Sequence, residues 1–153
     1  MNEHTQRLFD YLQGAARELL RGQGGFVPAG AVVGDGGALT AINPHVHGEQ
    51  PTPEKAVELL EAGLRQSALQ GPCHALGYCV DVTVKAPESE EPVSAVLVSM
   101  ENADGEGYDV FVPYDAADDY ELGTPFGNRR PARIYPSADE ARRARDGEPP
   151  ADG

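Results

Sequence analysis

The residues best suited to hold a metal are the two histidines of the segment His45-Val-His47. If this segment is extended, the two imidazoles lie on the same side of the chain, and Glu49 continues the spacing. A structural zinc needs four ligands and a catalytic zinc three, so further ligands would have to come from elsewhere in the fold. No spacing in the sequence shows that further ligands lie close to His45 and His47. We therefore predict no metal and no cofactor, with His45 and His47 as the remaining candidate ligands.

The two cysteines raise the alternatives of a disulfide and a thiol nucleophile. Cys73 and Cys79 lie in what we expect to be one strand and its entry, where an extended chain resists a bridge. A reactive thiolate requires a positive neighbour or a helix N-terminus, and the charges around these cysteines are negative. We predict two reduced thiols, with Cys79 buried as a small apolar side chain.

Two groups of carboxylates could bind calcium or share a proton. The segment 102–109 contains three acids, but it lacks the ligand series of an EF-hand, and its Asp-Gly pair is explained as a turn between strands. The acids between residues 115 and 121 have no apolar neighbours in sequence that would desolvate them. We predict a solvated face here, no catalytic residues, and a protein that is not an enzyme.

Two other segments raise the question of anion binding. The glycines of residues 34–37 do not predict a phosphate site, because no helix N-terminus follows them. The arginines of residues 126–130, together with Arg133, form a local basic patch. They could bind a carboxylate or a phosphate, or they could pair with carboxylates of this chain. The acidic field of the whole protein favours internal ion pairs.

The charge of the chain is large, negative and unevenly distributed. The formal net charge is −13, which opposes binding to nucleic acid or to an anionic membrane surface. Residues 71–126 hold twelve acids, and Lys85 is their only Lys or Arg. We expect this surface to attract a basic protein partner. The carboxylates predicted to contact it are Glu88, Glu90, Glu91, Asp115, Asp118 and Asp119.

Two helices are predicted from apolar residues that recur at helical spacing. Leucines and alanines repeat over residues 4–21, and glycines end the pattern. A second stripe follows Thr52, which can cap the helix, with Pro53 at the first helical position. This helix should stop at Gly71.

The strand signals form a hairpin and a meander. Residues 26–33 and 38–42 flank the turn residues 35–37, which predicts a β-hairpin. From Ala75 the apolar period changes to two, so we expect one face of this strand to be core and the other partly wet. Further strands at 93–100 and 108–112 complete an antiparallel meander. Residues 132–135 could add a short edge strand, and residues 137–145 a short helix.

These elements predict one α+β domain over residues 1–146, with a disordered tail at 147–153 that has nothing large and apolar to bury. The N-terminus opens directly into an amphipathic pattern, without an apolar run of signal or spanning length. We expect a cytoplasmic protein.

The predicted order, α-β-β-α-β-β-β with Asp35-Gly36-Gly37 in the first hairpin, is similar to that of roadblock/longin-type domains of the profilin-like class. The chain also resembles small bacterial proteins in which an aromatic-x-Pro-x-Gly stretch, here Phe26-Val-Pro-Ala-Gly30, precedes an Asp-Gly turn and a strand ends in Pro-Tyr, here Pro113-Tyr114. The resemblance covers about residues 5–113. It implies an antiparallel sheet packed by two helices, a homodimer, and no catalytic residues. Residues 114–136 depart from the roadblock pattern, which closes with a helix.

Two classes of function remain open at this point. A non-catalytic protein-binding or regulatory module fits the acidic surface, and an immunity protein that neutralises a basic toxin is its sharper form. The alternative is a small-molecule sensor or a metal-dependent enzyme that uses the loop of His45 and His47. Zinc titration distinguishes the two classes.

Overall fold

The computed structural model describes residues 1–26, 28–43, 51–87 and 90–136, together with residues 140 and 143. Two helices and seven strands lie within these ranges. In chain order they are α1 (Glu3–Gln23), β1 (Ala29–Val33), β2 (Leu39–Ile42), α2 (Pro53–Gln70), β3 (Ala75–Lys85), β4 (Pro92–Asn102), β5 (Glu106–Asp115), β6 (Glu121–Leu122) and β7 (Phe126–Pro131). The predicted α+β class is therefore confirmed. The predicted order lacked β6 and β7.

All the strands pair antiparallel in one sheet, in the order β2-β1-β3-β4-β5. The outer edge of β5 is shared by two short strands: β7 pairs with its first half and β6 with its last residues. The hairpin β1-β2 and the meander β3-β4-β5 are as predicted. The long register between β3 and β4 makes this pair the centre of the sheet.

The helices begin and end where the local chemistry dictates. The Asn2 side chain accepts a hydrogen bond from the Thr5 backbone N–H at 2.8 Å and caps α1, which ends at Gly24 with φ of 75°. Thr52 caps α2 in the same way through the Lys55 N–H, with Pro53 following it as predicted. Gly71 ends α2, but with an extended backbone (φ of −173°) instead of a left-handed one. Neither helix has the length and hydrophobicity that crossing a bilayer requires.

The helices lie on opposite faces of the sheet, and each covers its own core. Residues Leu8, Leu12, Ala16 and Leu20 of α1 pack against Cys79, Val96, Val98, Met100 and Val112. On the other face, Leu60 and Leu64 of α2 pack against Val32, Leu76 and Tyr78. The expectation that one face of β3 is core and the other partly wet is confirmed: on the α1 side Gly77 and Cys79 are buried, whereas Thr83 and Lys85 are exposed. Small side chains at 75, 77 and 79 let α1 approach closely.

The short edge strand predicted at residues 132–135 is wrong, because the edge strand is β7, immediately before them. The backbone N–H groups of residues 133–135 donate to the carboxylate of Glu101 and not to a neighbouring strand. The helix predicted at 137–145 falls on residues that are mostly outside the described part of the chain. The boundary at 146 and the tail at 147–153 lie outside it entirely.

Truncating either core should destabilise the protein by a similar amount. We expect Leu12→Ala on α1 and Leu64→Ala on α2 each to lower the free energy of unfolding by about 2–5 kcal/mol, because both side chains are fully buried. Urea denaturation measures both losses. A loss below about 1 kcal/mol for Leu64→Ala alone would show that α2 is peripheral to the core and would contradict the two-sided sheet.

Candidate partner-binding surface

The register of the sheet brings two separate acidic segments to one end. Lys85 of β3 lies opposite Pro92 of β4, and Ala95 of β4 lies opposite Pro113 of β5. The chain just before Pro92 and the chain just after Pro113 therefore lie side by side. The acids at this end are exposed, and we call them the acidic end: Glu90, Glu91, Asp115, Asp118 and Glu121. Glu88 lies outside the described residues.

Local turns fix the carboxylates that follow β5. The Asp115 carboxylate accepts the Ala117 N–H at 3.0 Å and so caps a single turn of 3₁₀ helix over residues 116–118. A hydrogen bond with Asp118 and its negative charge raise the pKa of Glu121. Asp119, by contrast, pairs with Arg21 at 3.1 Å. It is therefore partly neutralised, although sequence reasoning grouped it with the other acids.

The predicted basic patch consists of internal ion pairs, as expected. Each arginine in it contacts at least one carboxylate of this chain. The pairs are Arg129–Glu106 at 2.8 Å, Arg130–Glu101 at 2.7 Å, Arg130–Asp109 at 3.0 Å and Arg133–Glu61 at 2.9 Å. These guanidinium groups are therefore directed at protein carboxylates, which leaves little basis for an anion site.

Glu101 is a buried carboxylate that sequence reasoning missed. Its side chain is 0% exposed and accepts the N–H groups of Arg133, Ile134 and Tyr135 at 2.8–3.1 Å. The Arg130 guanidinium supplies the compensating positive charge and also donates to Ser99 at 2.9 Å. A buried charge with this many donors is satisfied, and its role is to hold the chain after β7 against the sheet.

The segment suggested as a calcium loop is a turn, as predicted. Asn102 is buried, and its side-chain oxygen accepts the backbone N–H groups of Asp104 and Glu106. Its amide nitrogen donates to Thr5 and to Glu106. Asp109 is turned towards Arg130 instead. Within the described part of the chain, no group of three or more His, Cys, Asp or Glu residues could hold a metal.

The histidines fall into two pairs. His45 and His47, the candidate metal ligands, lie outside the described residues. His4 and His74 stack with their ring centroids 4.4 Å apart and their planes 11° from parallel. This contact joins the first turn of α1 to the entry of β3. Sequence reasoning had no signal for it, because the two residues are far apart in the chain.

Both cysteines are free thiols, and Cys79 is buried as predicted. Burial raises the pKa of Cys79 to about 12, although hydrogen bonds with the backbone of Ala29 and of Cys79 itself lower it slightly. Burial also raises the pKa of Cys73, partly offset by hydrogen bonds with Tyr135 and Ala75. Neither thiol is activated as a nucleophile at neutral pH.

A cleft of about 460 Å³ lies at the opposite end of the sheet from the acidic end, beside the β4-β5 turn. Its polar side chains already have partners within the protein. Arg65 donates to the carbonyl of Ile134 at 3.2 Å, and the Tyr135 hydroxyl donates to the carbonyl of Cys73 at 2.8 Å. The cleft thus lacks convergent polar groups directed at a ligand.

Comparison with protein families, with curated proteins and with solved structures finds no match for this chain. The resemblance to roadblock/longin-type domains therefore stays a prediction.

Removing the charge of Glu101 should be costly. We expect Glu101→Gln to lower the free energy of unfolding by about 3–5 kcal/mol, because it removes the fully buried one of the two carboxylates that pair with Arg130 and weakens the bonds to residues 133–135. The matched control is Glu106→Gln, whose ion pair with Arg129 is exposed and should contribute about 0–1 kcal/mol. Urea denaturation of both variants gives the comparison. Equal losses would contradict the special role of Glu101.

Cys79 should react with a thiol reagent only when the protein unfolds. In a Cys73→Ser variant, labelling by a disulfide reagent at pH 8 should proceed at the unfolding rate, because a pKa of about 12 leaves about one thiol in ten thousand ionised. In urea the same variant should label within seconds. The control, Cys79→Ala, reports on Cys73. Rapid labelling of native Cys79 would show that the strand is accessible.

Proposed function

We propose that this protein is a non-catalytic binding module that captures a basic protein partner through its acidic end. The observation that supports this is the meeting of two acidic segments, distant in sequence, at one end of the sheet. Isolated acidic side chains on a surface are ordinary solvated groups. Several acidic side chains close together produce a negative field that extends about a Debye length, roughly 8 Å at physiological salt.

The electrostatics of the acidic end favour a cation. The pKa of Glu121 is raised by its hydrogen bond with Asp118 and by the negative charges of Asp118 and Asp115. Carboxylates held this close repel one another, and a Lys or Arg from a partner would relieve that repulsion. Binding would then lower the pKa of Glu121 and release a proton in acidic solution. The affinity for the basic partner should accordingly fall as the pH drops through the pKa that Glu121 has in the free protein.

An immunity protein that neutralises a basic toxin is the specific form of this proposal. Such a protein must capture its target quickly, and charge complementarity acts mainly on the association rate. The alternative of a sensor or metal-dependent enzyme rests on the loop of His45 and His47, outside the described residues. The described cleft does not support it, because its polar groups are already hydrogen-bonded.

The test is the association rate with a partner recovered by affinity capture from the source cell. Replacing Asp115, Asp118 and Glu121 by their amides should slow association by about tenfold, because each exposed charge contributes only about 0.2–1 kcal/mol. Replacing Glu90 and Glu91 should act in the same direction. Asp119 is left unchanged to preserve its pair with Arg21. Stopped-flow or surface-based kinetics measure the rate.

The matched control removes three charges away from the acidic end, by amide replacement of Glu3 and Asp10 on α1 and of Asp104 in the β4-β5 turn. These residues are exposed, and their loss changes the net charge equally. The control should bind at close to the rate of the unaltered protein. The proposal would be overturned if the association rate changed neither with the substitutions at the acidic end nor with ionic strength between about 0.05 and 0.5 M, since the Debye length falls severalfold over that range.

A further inference from the structure

One half of the sheet carries a row of apolar side chains beside α2. This helix packs on β1, β2 and β3, and the same face of the sheet continues across β4, β5 and β7. Register places Val80, Leu97, Phe111 and Phe126 in one row across four strands. The rings of Phe111 and Phe126 stack, with centroids 5.4 Å apart.

This apolar floor is half-buried, whereas the central apolar side chains on the opposite face of β4 and β5 are fully covered. On the α1 side, Val96, Val98 and Val112 are all 0% exposed. On the α2 side the corresponding side chains remain partly open to solvent. We define the apolar floor by these half-buried residues: Val82, Val84, Val93, Leu97, Phe111, Pro113 and Phe126.

Carboxylates border the apolar floor on two sides. The Tyr78 hydroxyl and the Arg133 guanidinium both donate to Glu61 of α2 at 2.9 Å, so Glu61 lies on the side of α2 next to β4 and β7, although its charge is already paired. Helical spacing places Glu54 and Glu58 on the same side, nearer the acidic end, and Glu58 also pairs with Lys55 at 3.4 Å. Alternation along β5 places Asp115 on the same face as Pro113, so the floor runs directly into the acidic end.

We propose that the apolar floor binds an amphipathic, basic segment of the partner protein, with its apolar side on the floor and its cations against the carboxylates beside it. This inference rests on the proposed function and specifies the chemistry of the partner. Charge complementarity selects this occupant. A second copy of the chain would bring another net charge of −13 against the same carboxylates. Residues 141–153 of this chain contain no large apolar side chain that could fill the floor.

The probe is a fluorescent 18-residue peptide made only of Leu and Lys, with the leucines at helical spacing so that they form one stripe. Its control has the same composition in an order that breaks the stripe. Fluorescence anisotropy with the whole protein should show at least tenfold tighter binding of the striped peptide. Equal affinities for the two peptides would overturn the role of the floor.

The protein variants test the location. Phe111→Ser combined with Phe126→Ser should weaken binding of the striped peptide by at least tenfold. The matched control is Tyr11→Ser on α1, because Tyr11 is 39% exposed on the other side of the molecule. The affinity of this variant for the striped peptide should be unchanged. Circular dichroism shows whether each variant is folded. An unchanged affinity in the folded double variant contradicts the proposal.

Cross-linking to the unaltered protein tests the location without relying on the folding of any variant. A striped peptide carrying a benzophenone photo-cross-linker should attach to β4, β5, β7 or the side of α2 that holds Glu61. Cross-links confined to α1 would overturn the proposal. If sedimentation shows that the unaltered protein is a dimer and the double Phe variant a monomer, the floor binds a second copy of the chain. That result would also overturn the proposal.

These outcomes separate this inference from the proposed function. If both peptides bind equally and 0.5 M salt abolishes binding, the acidic end captures basic chains but the floor takes no part. If neither peptide binds at low salt, both proposals fail.

Discussion

The buried carboxylate of Glu101 constrains how the end of the described chain meets the sheet. An ion in the protein interior is tolerated only when its lone pairs are used, and Glu101 uses them on Arg130 and on three consecutive backbone N–H groups. These bonds turn the chain back over the sheet directly after β7. They place Ile134 in the core under α2 and bring Tyr135 to Cys73. They also determine how far the covered part of this face extends.

The boundary matters because it divides one face of the sheet into two regions. Beneath α2 and the returning chain, the side chains are buried. Beyond it, the apolar floor continues without a helix from the described residues. Contiguous apolar surface on a soluble protein marks a site of interaction or a risk of aggregation. The carboxylates that border the floor limit the second outcome, since like charges discourage two floors from meeting.

Local pattern determined most of the elements, and contacts between distant residues determined the rest. The stripes of α1 and α2, their caps at Asn2 and Thr52, and the alternation of the meander are local signals. The partly wet face of β3 follows from the same alternation: Ala75, Gly77 and Cys79 are small enough for α1 to pack on them, and Thr83 and Lys85 farther along the strand are exposed.

β7 could not be found in the same way. Residues 126–131 contain two adjacent arginines and no alternation, so propensity alone suggests a loop. They form a strand because β5 offers an open edge and because Glu101 and Asp109 compensate Arg130. For the candidate site, composition identified the acids between 71 and 126. Their convergence depends on the register of β4 and β5, and the pairing of Asp119 with Arg21 depends on where α1 ends. Neither the convergence nor the ion pair can be predicted from local sequence.

Charge and apolar area act on different steps of binding, and this decides what the protein can do. A charged surface alone accelerates encounter, yet exposed pairs hold a partner weakly and salt screens them. Differences in affinity among related complexes arise mostly in the dissociation rate, which reflects desolvated contacts. An acidic end without the floor would therefore capture basic chains quickly and release them quickly. In the proposed binding mode, Phe111 and Phe126 beside the acidic end retain a partner whose cations and apolar side chains share one side, and discriminate against one that is merely basic.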